Sequence, residues 1–393
     1  MTLASTATAR PIPALDKLGI LIALIVAAGA ALPFSVFRPT RIAAGEGRML
    51  TEALAVLPAG VMIAAIVIGS LVAVGRFAPL VKLAVSFVVL AILFVLVGQS
   101  ATYLTPPDNT FARVSPGAGF WLLTFAFALM VTDALARLRF RPWARIGILA
   151  AVTVAIGLLL WSGVWNDLSI LKEYANRAAA FWNEGRTHLL LAFGSVAAAT
   201  IAGVPLGILC HRVRPLRAGV LNVLNIIQTI PSIALFGLLI APLAWVAANV
   251  PGASAIGISG IGIAPAMVAL FAYSLLPIVA NTVVGLENVP EAAEDAARGM
   301  GMTNRQRLMG VELPLAFPVI LTGIRIVLVQ NIGMATIAAL IGGGGFGVFV
   351  FQGVGQTAMD LVLLGAVPTV ALAFAAAVVL DAFVEMVSVG GRT

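Results

Sequence analysis

Ten apolar runs, each about 20 residues or longer, follow one another along the chain between charged residues, prolines and glycines. A helix of about 20 apolar residues crosses the roughly 30 Å core of a bilayer, whereas the strands of a membrane barrel would show short alternating segments. The runs therefore predict an all-α, polytopic membrane protein with about ten transmembrane helices. The predicted spans are residues 18–37, 52–75, 79–102, 117–136, 144–165, 188–210, 218–248, 257–283, 314–341 and 361–387.

The composition supports this class, since 61% of the residues are hydrophobic and only 10% are charged, more apolar surface than one soluble core can bury. The single cysteine, Cys210, excludes an internal disulfide, and with only His188 and His211 as histidines we expect no metal site. Within the run 218–248, Pro231 and Pro242 could kink or split the helix.

Lysine and arginine lie mainly on one side of this predicted topology. With a cytoplasmic N-terminus, the cytoplasmic segments hold 15 of the 23 basic residues, including Arg10 and Arg392, the external segments hold seven, and Arg325 lies near the start of a span. Because basic loops stay on the cytoplasmic side, both termini are predicted to be cytoplasmic. Topology thus explains the positive charge, and no nucleic-acid partner is expected.

The segment 166–187 falls outside the membrane between the fifth and sixth spans and is predicted to be an amphipathic helix. Five residues share the spacing of one helix face: Leu168, Leu171, Tyr174, Ala178 and Phe181. An interfacial linker helix is favoured over a docking element for an external partner. The segment separates an N-terminal membrane extension of about five spans, residues 1–165, from a trailing part of five spans, residues 188–393.

The segment between the eighth and ninth spans is unusually charged, because residues 287–312 hold eight of the chain's 39 charged residues. Pro290 and the acidic residues after it favour a helix start. Gly301 then turns the chain, and Thr303 with Gln306 fits a capping box for a second helix. Two short helices joined by a glycine corner could insert into a groove on a soluble partner, although a solvated loop is also compatible with this pattern.

Residues 295–314, DAARGMGMTNRQRLMGVELP, resemble the EAA motif of binding-protein-dependent ABC import permeases. The motif has an acid-Ala-Ala triplet, three residues and a glycine, and it ends in a β-branched residue, one further residue and Leu-Pro. The matching positions are Asp295, Ala296, Ala297, Gly301, Val311, Leu313 and Pro314. The acid is an aspartate here, and the Glu-Ala-Ala at 291–293 is out of register with the glycine.

The resemblance implies that segment 287–314 docks into a cleft of a separate, cytoplasmic ATPase, using the motif residues together with Arg298. ATP and Mg would be bound by that ATPase and no cofactor by this chain, whose three lysines occur in no phosphate-binding loop. The family further implies a second permease subunit, the same or a related chain, and an external solute-binding protein. Residues 188–393 would form a type I ABC importer permease core in the bacterial cytoplasmic membrane.

Three segments are similar to permeases of osmoprotectant importers, which carry glycine betaine, choline, carnitine or proline: 226–240, 287–303 and 335–347. A permease for another amino-acid-like solute is an alternative. An ATP-independent secondary transporter is disfavoured because carboxylates are scarce in mid-span, with Asp133, Asp381 and Glu385 all toward predicted cytoplasmic ends. An enzyme is not expected, since no nucleophile and histidine pair falls within a span.

Polar residues inside the trailing spans are candidates for the lining of a translocation path, because polar groups in spans usually face protein or water. They are Asn222, Asn225, Gln228, Thr229, Ser232, Asn281, Gln330 and Asn331. Hydrogen bonding between helices is the alternative role. Since the trailing half shows no tight aromatic cluster, we expect an aromatic cage for a quaternary ammonium to lie on the external binding protein.

The sequence IGGGGFG, 341–347, contains the spacing GxGxxG at Gly342, Gly344 and Gly347. A dinucleotide-binding fingerprint needs a preceding strand and a following helix, whereas this segment follows a predicted span. We therefore expect a flexible turn that permits close helix approach, near an external gate.

Overall fold

A computed structural model describes residues 15–41, 43–109 and 111–390, with residues 389 and 390 described by their backbone alone. Arg10 and Arg392, two residues on which the orientation prediction depends, lie outside the described residues. The described chain is helical apart from one small sheet. Nine of its helical segments are long and apolar enough to cross a membrane. The predicted fold class is confirmed.

The first part of the chain contains six helices and the three strands. The helices are α1 (Lys17–Ala30), α2 (Leu50–Ala53), α3 (Val56–Val74), α4 (Pro79–Leu104), α5 (Ala118–Leu138) and α6 (Pro142–Trp161). The strands are β1 (Ser35–Arg38), β2 (Glu46–Arg48) and β3 (Arg113–Pro116), which form an antiparallel sheet in the order β2-β1-β3.

The remaining helices follow from Ser169 onward. They are α7 (Ser169–Arg212), α8 (Arg214–Thr229), α9 (Ser232–Leu238), α10 (Ile240–Asn249), α11 (Ile263–Glu287), α12 (Glu291–Gly299), α13 (Asn304–Arg307), α14 (Leu313–Ala335), α15 (Gly347–Gly355) and α16 (Met359–Gly390). Short 3-10 segments occupy Ser254–Ile256 and Ile337–Ile341, and a π-helical turn occupies Leu308–Glu312.

The first predicted span, 18–37, is wrong in length, because α1 has only 14 residues and ends at Ala30. At 1.5 Å per residue it is about 21 Å long, short of a bilayer core. Pro33 disfavours helical backbone at Leu32, and the apolar residues that follow pair as β1 with β2 and β3. The apolar run therefore continues into a sheet.

The predicted span 218–248 is split, as its prolines allowed, because the chain breaks into α8, α9 and α10; the break falls at Pro231, whereas Pro242 lies within α10. Ile230 has an extended backbone, with φ −70° and ψ 127°, since the ring of Pro231 disfavours helical backbone at the preceding residue. The hydroxyl of Tyr273 on α11 donates a hydrogen bond to the Ile230 carbonyl. The break is thus stabilised by a neighbouring helix.

Most of the segment 166–187 is helical, as predicted, but the helix is not separate from the sixth span, and its external position stays a prediction. It forms the start of α7, which continues to Arg212 and is kinked at Arg177, where φ is −134° and ψ is 22°. The five residues predicted to share one face are all buried or half-buried. The amphipathic pattern therefore identified the packed face correctly.

Backbone contacts divide the described chain into two compact units. The first runs to Phe140 and includes Thr153–Lys172, and the second consists of Arg141–Val152 and the chain from Glu173 onward. Residues 141–152, predicted within the leading part, thus belong to the second unit.

In the first unit, α1, α3, α4 and α5 form a four-helix group in which each helix contacts two of the others. Its core contains large, fully buried side chains, among them Phe34, Met62, Leu93, Phe120 and Phe127. Glycine permits the closest approach, since a Cβ at Gly19 on α1 would collide with the Ala73 carbonyl of α3. Small residues at such crossings are typical of membrane helices.

In the second unit, α11 packs against α8 and α14, α14 also packs against α16, and α15 packs against α16. The crossing of α11 and α14 is close because a Cβ at Gly323 would lie only 2.8 Å from the Cβ of Asn281. The α11 helix therefore lies at the centre of the trailing helices and leads directly into the charged segment.

The glycine-rich segment 341–347 is a turn that follows a 3-10 helix, with positive φ at Gly342, Gly344 and Gly345. The Gly345 N–H donates to Glu184 Oε2 at 2.7 Å. A Cβ at Gly347 would collide with the Thr336 carbonyl. Both observations agree with the predicted turn that permits close approach, and the element directly before it is a 3-10 helix and not a strand.

Candidate functional site

The charged segment 287–314 begins where α11 ends and the chain reverses toward α12. Leu286 and Val289 are buried in an apolar cluster with Ala316 and Ile320 of α14. Pro290 precedes the first turn of α12, where acidic side chains complement the positive end of the helix dipole. The first helix of the segment is therefore anchored to a membrane helix at its start.

Gly301 forms the corner at the end of α12. Its φ is +79°, a left-handed conformation that side chains disfavour. The Gly301 N–H donates to the Arg298 carbonyl at 2.9 Å, and the Met302 N–H donates to the Ala297 carbonyl at 3.1 Å. These two bonds form a Schellman motif, in which the glycine is the residue after the helix cap. The motif glycine is thus required by backbone geometry.

The second helix begins with the predicted capping box. The Gln306 N–H donates to Thr303 Oγ1 at 3.3 Å, and the Thr303 N–H donates to Gln306 Oε1 at 2.9 Å. The two-helix prediction needs one correction, since α13 continues through the π-helical turn into α14. Pro314 lacks an N–H and its ring would clash with the carbonyl four residues earlier, a conflict that the wider π turn accommodates.

The predicted coupling residues on α12 divide into an exposed face and a buried one. Asp295 is the most open, with 73% of its side chain exposed, and Ala296 and Arg298 are also exposed. Arg298 pairs with Glu294 at 3.1 Å and with Asp295 at 3.4 Å. Ala297 is 1% exposed and faces inward. Adjacent alanines of the motif therefore have different surroundings.

The predicted residues at the end of the motif serve mainly as its base. Val311 and Leu313 are half-buried, and Leu313 packs against the apolar cluster at the start of α12. Pro314 is exposed in the first turn of α14. The structure thus brings the two ends of segment 287–314, near Val289 and Leu313, together around one apolar cluster.

A buried ion triad lies at this base, and the sequence interpretation missed it. Glu312 is 2% exposed and accepts hydrogen bonds from Arg307 Nε at 2.6 Å and from Arg212 Nη2 at 2.7 Å. Arg212 is the last residue of α7, so the triad joins the charged segment to two membrane helices. A carboxylate directly before an apolar span was the signal, because buried charges are nearly always paired.

A second charge network within the second unit was also missed. Arg145 pairs with Asp381 at 2.7 Å and with Glu385, and Arg325 pairs with Asp381 from the middle of α14. From the sequence, Arg325, Asp381 and Glu385 are placed near the ends of predicted spans, and none of them is paired. Ionisable residues within spans usually have partners, so the equal numbers of acids and bases could have indicated the network.

The predicted path residues on α8 and α9 have different roles. Asn222 and Asn225 are exposed on one face of α8. Gln228 Nε2 donates to the Tyr273 carbonyl at 2.8 Å, and Thr229 Oγ1 donates to a carbonyl of its own helix. Ser232 is half-buried at the start of α9.

The predicted path residues on α11 and α14 contact neighbouring groups of the protein through their side-chain amides. Asn281 Nδ2 donates to the Pro277 carbonyl at 2.8 Å, and Gln330 Nε2 lies 3.4 Å from the sulfur of Met334. Asn331 is fully buried. Its Nδ2 donates to Ser195 Oγ and Ser274 Oγ, each at 2.8 Å, which joins α14 to α7 and α11. A role in the path remains a prediction for all eight residues.

An aromatic cluster forms in the second unit, contrary to the expectation that the trailing half has none. Phe181 contacts Tyr174 and Phe346 with ring centroids 5.2 Å apart, and Phe349 at 6.2 Å. The ring of His188 lies 5.1 Å from that of Phe346. The cluster is not evident from the sequence because its two groups of rings, at 174–188 and at 346–349, are more than 150 residues apart in the chain.

Two family models match the chain in succession. Residues 16–171 match the N-terminal domain of the ABC transporter permease YehY. Residues 203–389 match the binding-protein-dependent transport system inner membrane component. Among solved structures, the MetNI methionine ABC transporter in an inward-facing conformation has a TM-score of 0.46 and 24% identity, over 53% of this chain and 95% of that chain.

Curated relatives match the trailing half. The osmoprotectant import permease protein OsmW of Salmonella typhimurium is 46% identical over 46% of this chain and 78% of its own length. The glycine betaine/carnitine/choline transport system permease protein OpuCB of Bacillus subtilis is 37% identical over 47% of this chain and 78% of its own length. The chain belongs to the family of binding-protein-dependent ABC importer permeases.

Proposed function

We propose that this chain is the membrane subunit of an ATP-driven importer for a small osmoprotectant such as glycine betaine, carnitine or choline, coupled through segment 287–314 to a separate ATPase. The observation that carries the proposal is the construction of that segment. It is a short helix with an exposed Asp295, Ala296 and Arg298 face, held by a left-handed corner at Gly301 and anchored at its base by buried ion pairs.

Small exposed side chains allow the surface of a partner to approach the α12 backbone closely. Asp295 and Arg298 supply opposite charges at the edge of the same face, which suits a polar cleft with complementary groups. Because the base of the segment is continuous with α11 and α14, movement of a docked partner would be passed to both helices. A flexible loop would dissipate such movement, whereas the Schellman motif and capping box restrict the backbone.

The proposal assigns ATP and Mg to the partner ATPase and solute capture to an external binding protein, with a second permease subunit completing the pore. It places both termini and segment 287–314 in the cytoplasm of a bacterial cell, at the inner membrane. The solute class is supported by two relatives: OsmW is an osmoprotectant import permease protein, and OpuCB is a glycine betaine/carnitine/choline transport system permease protein. The chain itself is proposed to have no enzymatic activity.

The two neighbouring alanines provide a matched test of docking. Ala296→Cys puts a thiol on the exposed face of α12, whereas Ala297→Cys puts one on the buried face. In native membranes, a short bifunctional thiol reagent should cross-link an ATPase to position 296 and not to position 297, with mass spectrometry identifying the captured chain. Capture of the same proteins from both positions, or failure to capture an ATPase from position 296, would contradict the proposal.

Transport provides a second readout. The chain copurified with its ATPase should accumulate a radiolabelled osmoprotectant in proteoliposomes only when ATP is present on the ATPase side. Uptake by the purified chain alone, driven by an ion gradient, would instead favour an ATP-independent transporter.

A further inference from the structure

The first unit has an open pocket at one end of its helix group that the proposed function does not use. Its volume is about 560 Å³. It lies where α1 begins, where α3 turns into α4 and where α5 ends, so it is at the boundary between membrane helices and their connecting loops. It is lined by Leu15, Asp16, Lys17, Arg76, Phe77 and Arg137.

The floor of this basic pocket is an internally neutral ion network. Asp16 Oδ2 accepts hydrogen bonds from the buried Lys82 Nζ at 2.8 Å and from Arg137 Nη2 at 3.2 Å. Arg137 also pairs with Asp133 at 2.8 Å. The hydrogen bond from Lys82 holds the pKa of Asp16 below its ordinary value, so its charge persists. Two acids and two bases therefore balance in the floor.

The mouth of the basic pocket carries charge that the floor does not neutralise. Lys17 and Arg76 are exposed, and neither has an ion-pair partner among the described residues. Lys17 is the first residue of α1 and Arg76 lies in the turn between α3 and α4, which brings two positive charges to the same opening. Any ligand that fills this opening is therefore expected to be an anion.

Apolar side chains lie directly beside these charges. Leu15 and Phe77 line the same pocket and are 54% and 50% exposed. Leu71 on α3 and Leu80 on α4 continue the exposed apolar surface along the helices. A soluble phosphate would gain nothing from this surface, whereas the first acyl carbons of a lipid would be removed from water by it.

We propose that the basic pocket binds the phosphodiester headgroup of an anionic phospholipid. Arg76 can donate two parallel hydrogen bonds to phosphate oxygens, and Lys17 adds a point charge. Leu15 and Phe77 contact the start of the acyl chains. Basic pockets between membrane helices are suited to this headgroup chemistry, and each cation near an anionic surface adds to the attraction.

The test uses the full chain in detergent micelles, with bound lipids counted by native mass spectrometry while phosphatidylglycerol or phosphatidylcholine is titrated. The double variant Lys17→Gln, Arg76→Gln should weaken the tightest phosphatidylglycerol binding by about tenfold or more and leave phosphatidylcholine binding unchanged. The exposed Arg214→Gln of the second unit is the matched control and should change neither. The variants leave Lys82 and Asp16 intact, and unchanged thermal unfolding will show that the floor is preserved.

Three further outcomes decide the source of the anion and the role of charge. Replacement of Arg76 by Lys in the Lys17→Gln background should restore part of the lost binding, because it restores the charge. Phosphatidylglycerol held equally by the double variant and the wild type would overturn the proposal. Displacement of the lipid by millimolar inorganic phosphate or ATP would overturn the lipid assignment and identify a soluble phosphate site.

Discussion

Glu312 provides the most stringent test of how segment 287–314 is held to the membrane helices. Its carboxylate, 2% exposed, is shared by two arginines whose side chains differ in exposure, 10% for Arg307 and 32% for Arg212. Glu312→Gln preserves the shape and removes the charge. It leaves the buried Arg307 guanidinium without an anion, and an uncompensated buried charge strongly destabilises the fold.

The magnitudes follow from these exposures. Breaking a buried ion pair from one side costs about 3–5 kcal/mol, and because glutamine still accepts one hydrogen bond, Glu312→Gln is expected to lower the free energy of unfolding by about 3 kcal/mol. Arg212→Gln should cost about 1 kcal/mol, since Arg212 is a third exposed and Glu312 retains Arg307. Replacing the inner pair together, with Glu312→Leu and Arg307→Met, should recover most of the loss.

Unfolding of the purified chain in mixed micelles, followed by helicity as the denaturing detergent is increased, measures all four proteins. The expected order of stability is wild type, Arg212→Gln, the apolar double variant and Glu312→Gln. An equal effect of Glu312→Gln and Arg212→Gln, or an apolar double variant less stable than Glu312→Gln alone, would refute the reasoning. Such a result would mean that water reaches the triad and screens it.

Substitutions at three other positions test separate parts of the structure. At Gly301, alanine should lower the thermal stability of the segment by about 1–2 kcal/mol and asparagine by less, because asparagine tolerates left-handed backbone; the reverse order in thermal unfolding would contradict the Schellman geometry. Tyr273→Phe removes the donor to the Ile230 carbonyl and should lower the free energy of unfolding by about 1 kcal/mol in the same assay. An unchanged free energy of unfolding would mean that the break depends on Pro231 alone. The pKa of Asp16 in the folded chain lies below the ordinary 3.8, so the ionised carboxylate stabilises the fold. The stability advantage of the wild type over Asp16→Asn should therefore be full near pH 7 and disappear as the pH falls below 3.8. An advantage that does not depend on pH would exclude an ionic role.

Features that depend on a few neighbouring residues were predictable from the sequence. The turn at Gly301 and the cap at Thr303 follow from backbone rules that act over three to six residues. The apolar runs identified the membrane helices for the same reason, because each must satisfy its own backbone within the bilayer. Local rules therefore determine the turn and the helix start within the motif.

Features that depend on distant pairing were not predictable. Arg212 and Glu312 are 100 residues apart, and nothing in either local sequence identifies the partner. The different exposure of Ala296 and Ala297 depends on which side of α12 faces the base, and an isolated nine-residue helix does not determine that side. The end of α1 was missed because apolar residues suit both a membrane helix and the buried strand β1.

The two proline-associated irregularities in the trailing helices explain which polar residues are structural. Pro277 has no N–H for the carbonyl of Tyr273 four residues earlier, and Gln228 supplies the missing donor at 2.8 Å. On the facing helix, the break before Pro231 leaves the Ile230 carbonyl open, and the Tyr273 hydroxyl supplies that donor. Across the contact between α8 and α11, each helix therefore supplies the hydrogen-bond donor that the backbone of the other lacks.

This reciprocity separates the predicted path residues into two groups. Since the amide of Gln228 is already engaged with a backbone carbonyl, removing it would expose an unsatisfied group in an apolar environment, so its substitution would act first on stability. Asn222 and Asn225 lie on the exposed face of α8, and their side chains make no hydrogen bond to other described residues. If a neutral polar path for a zwitterion exists along α8, these two asparagines are where a change in solute uptake can occur without a change in folding.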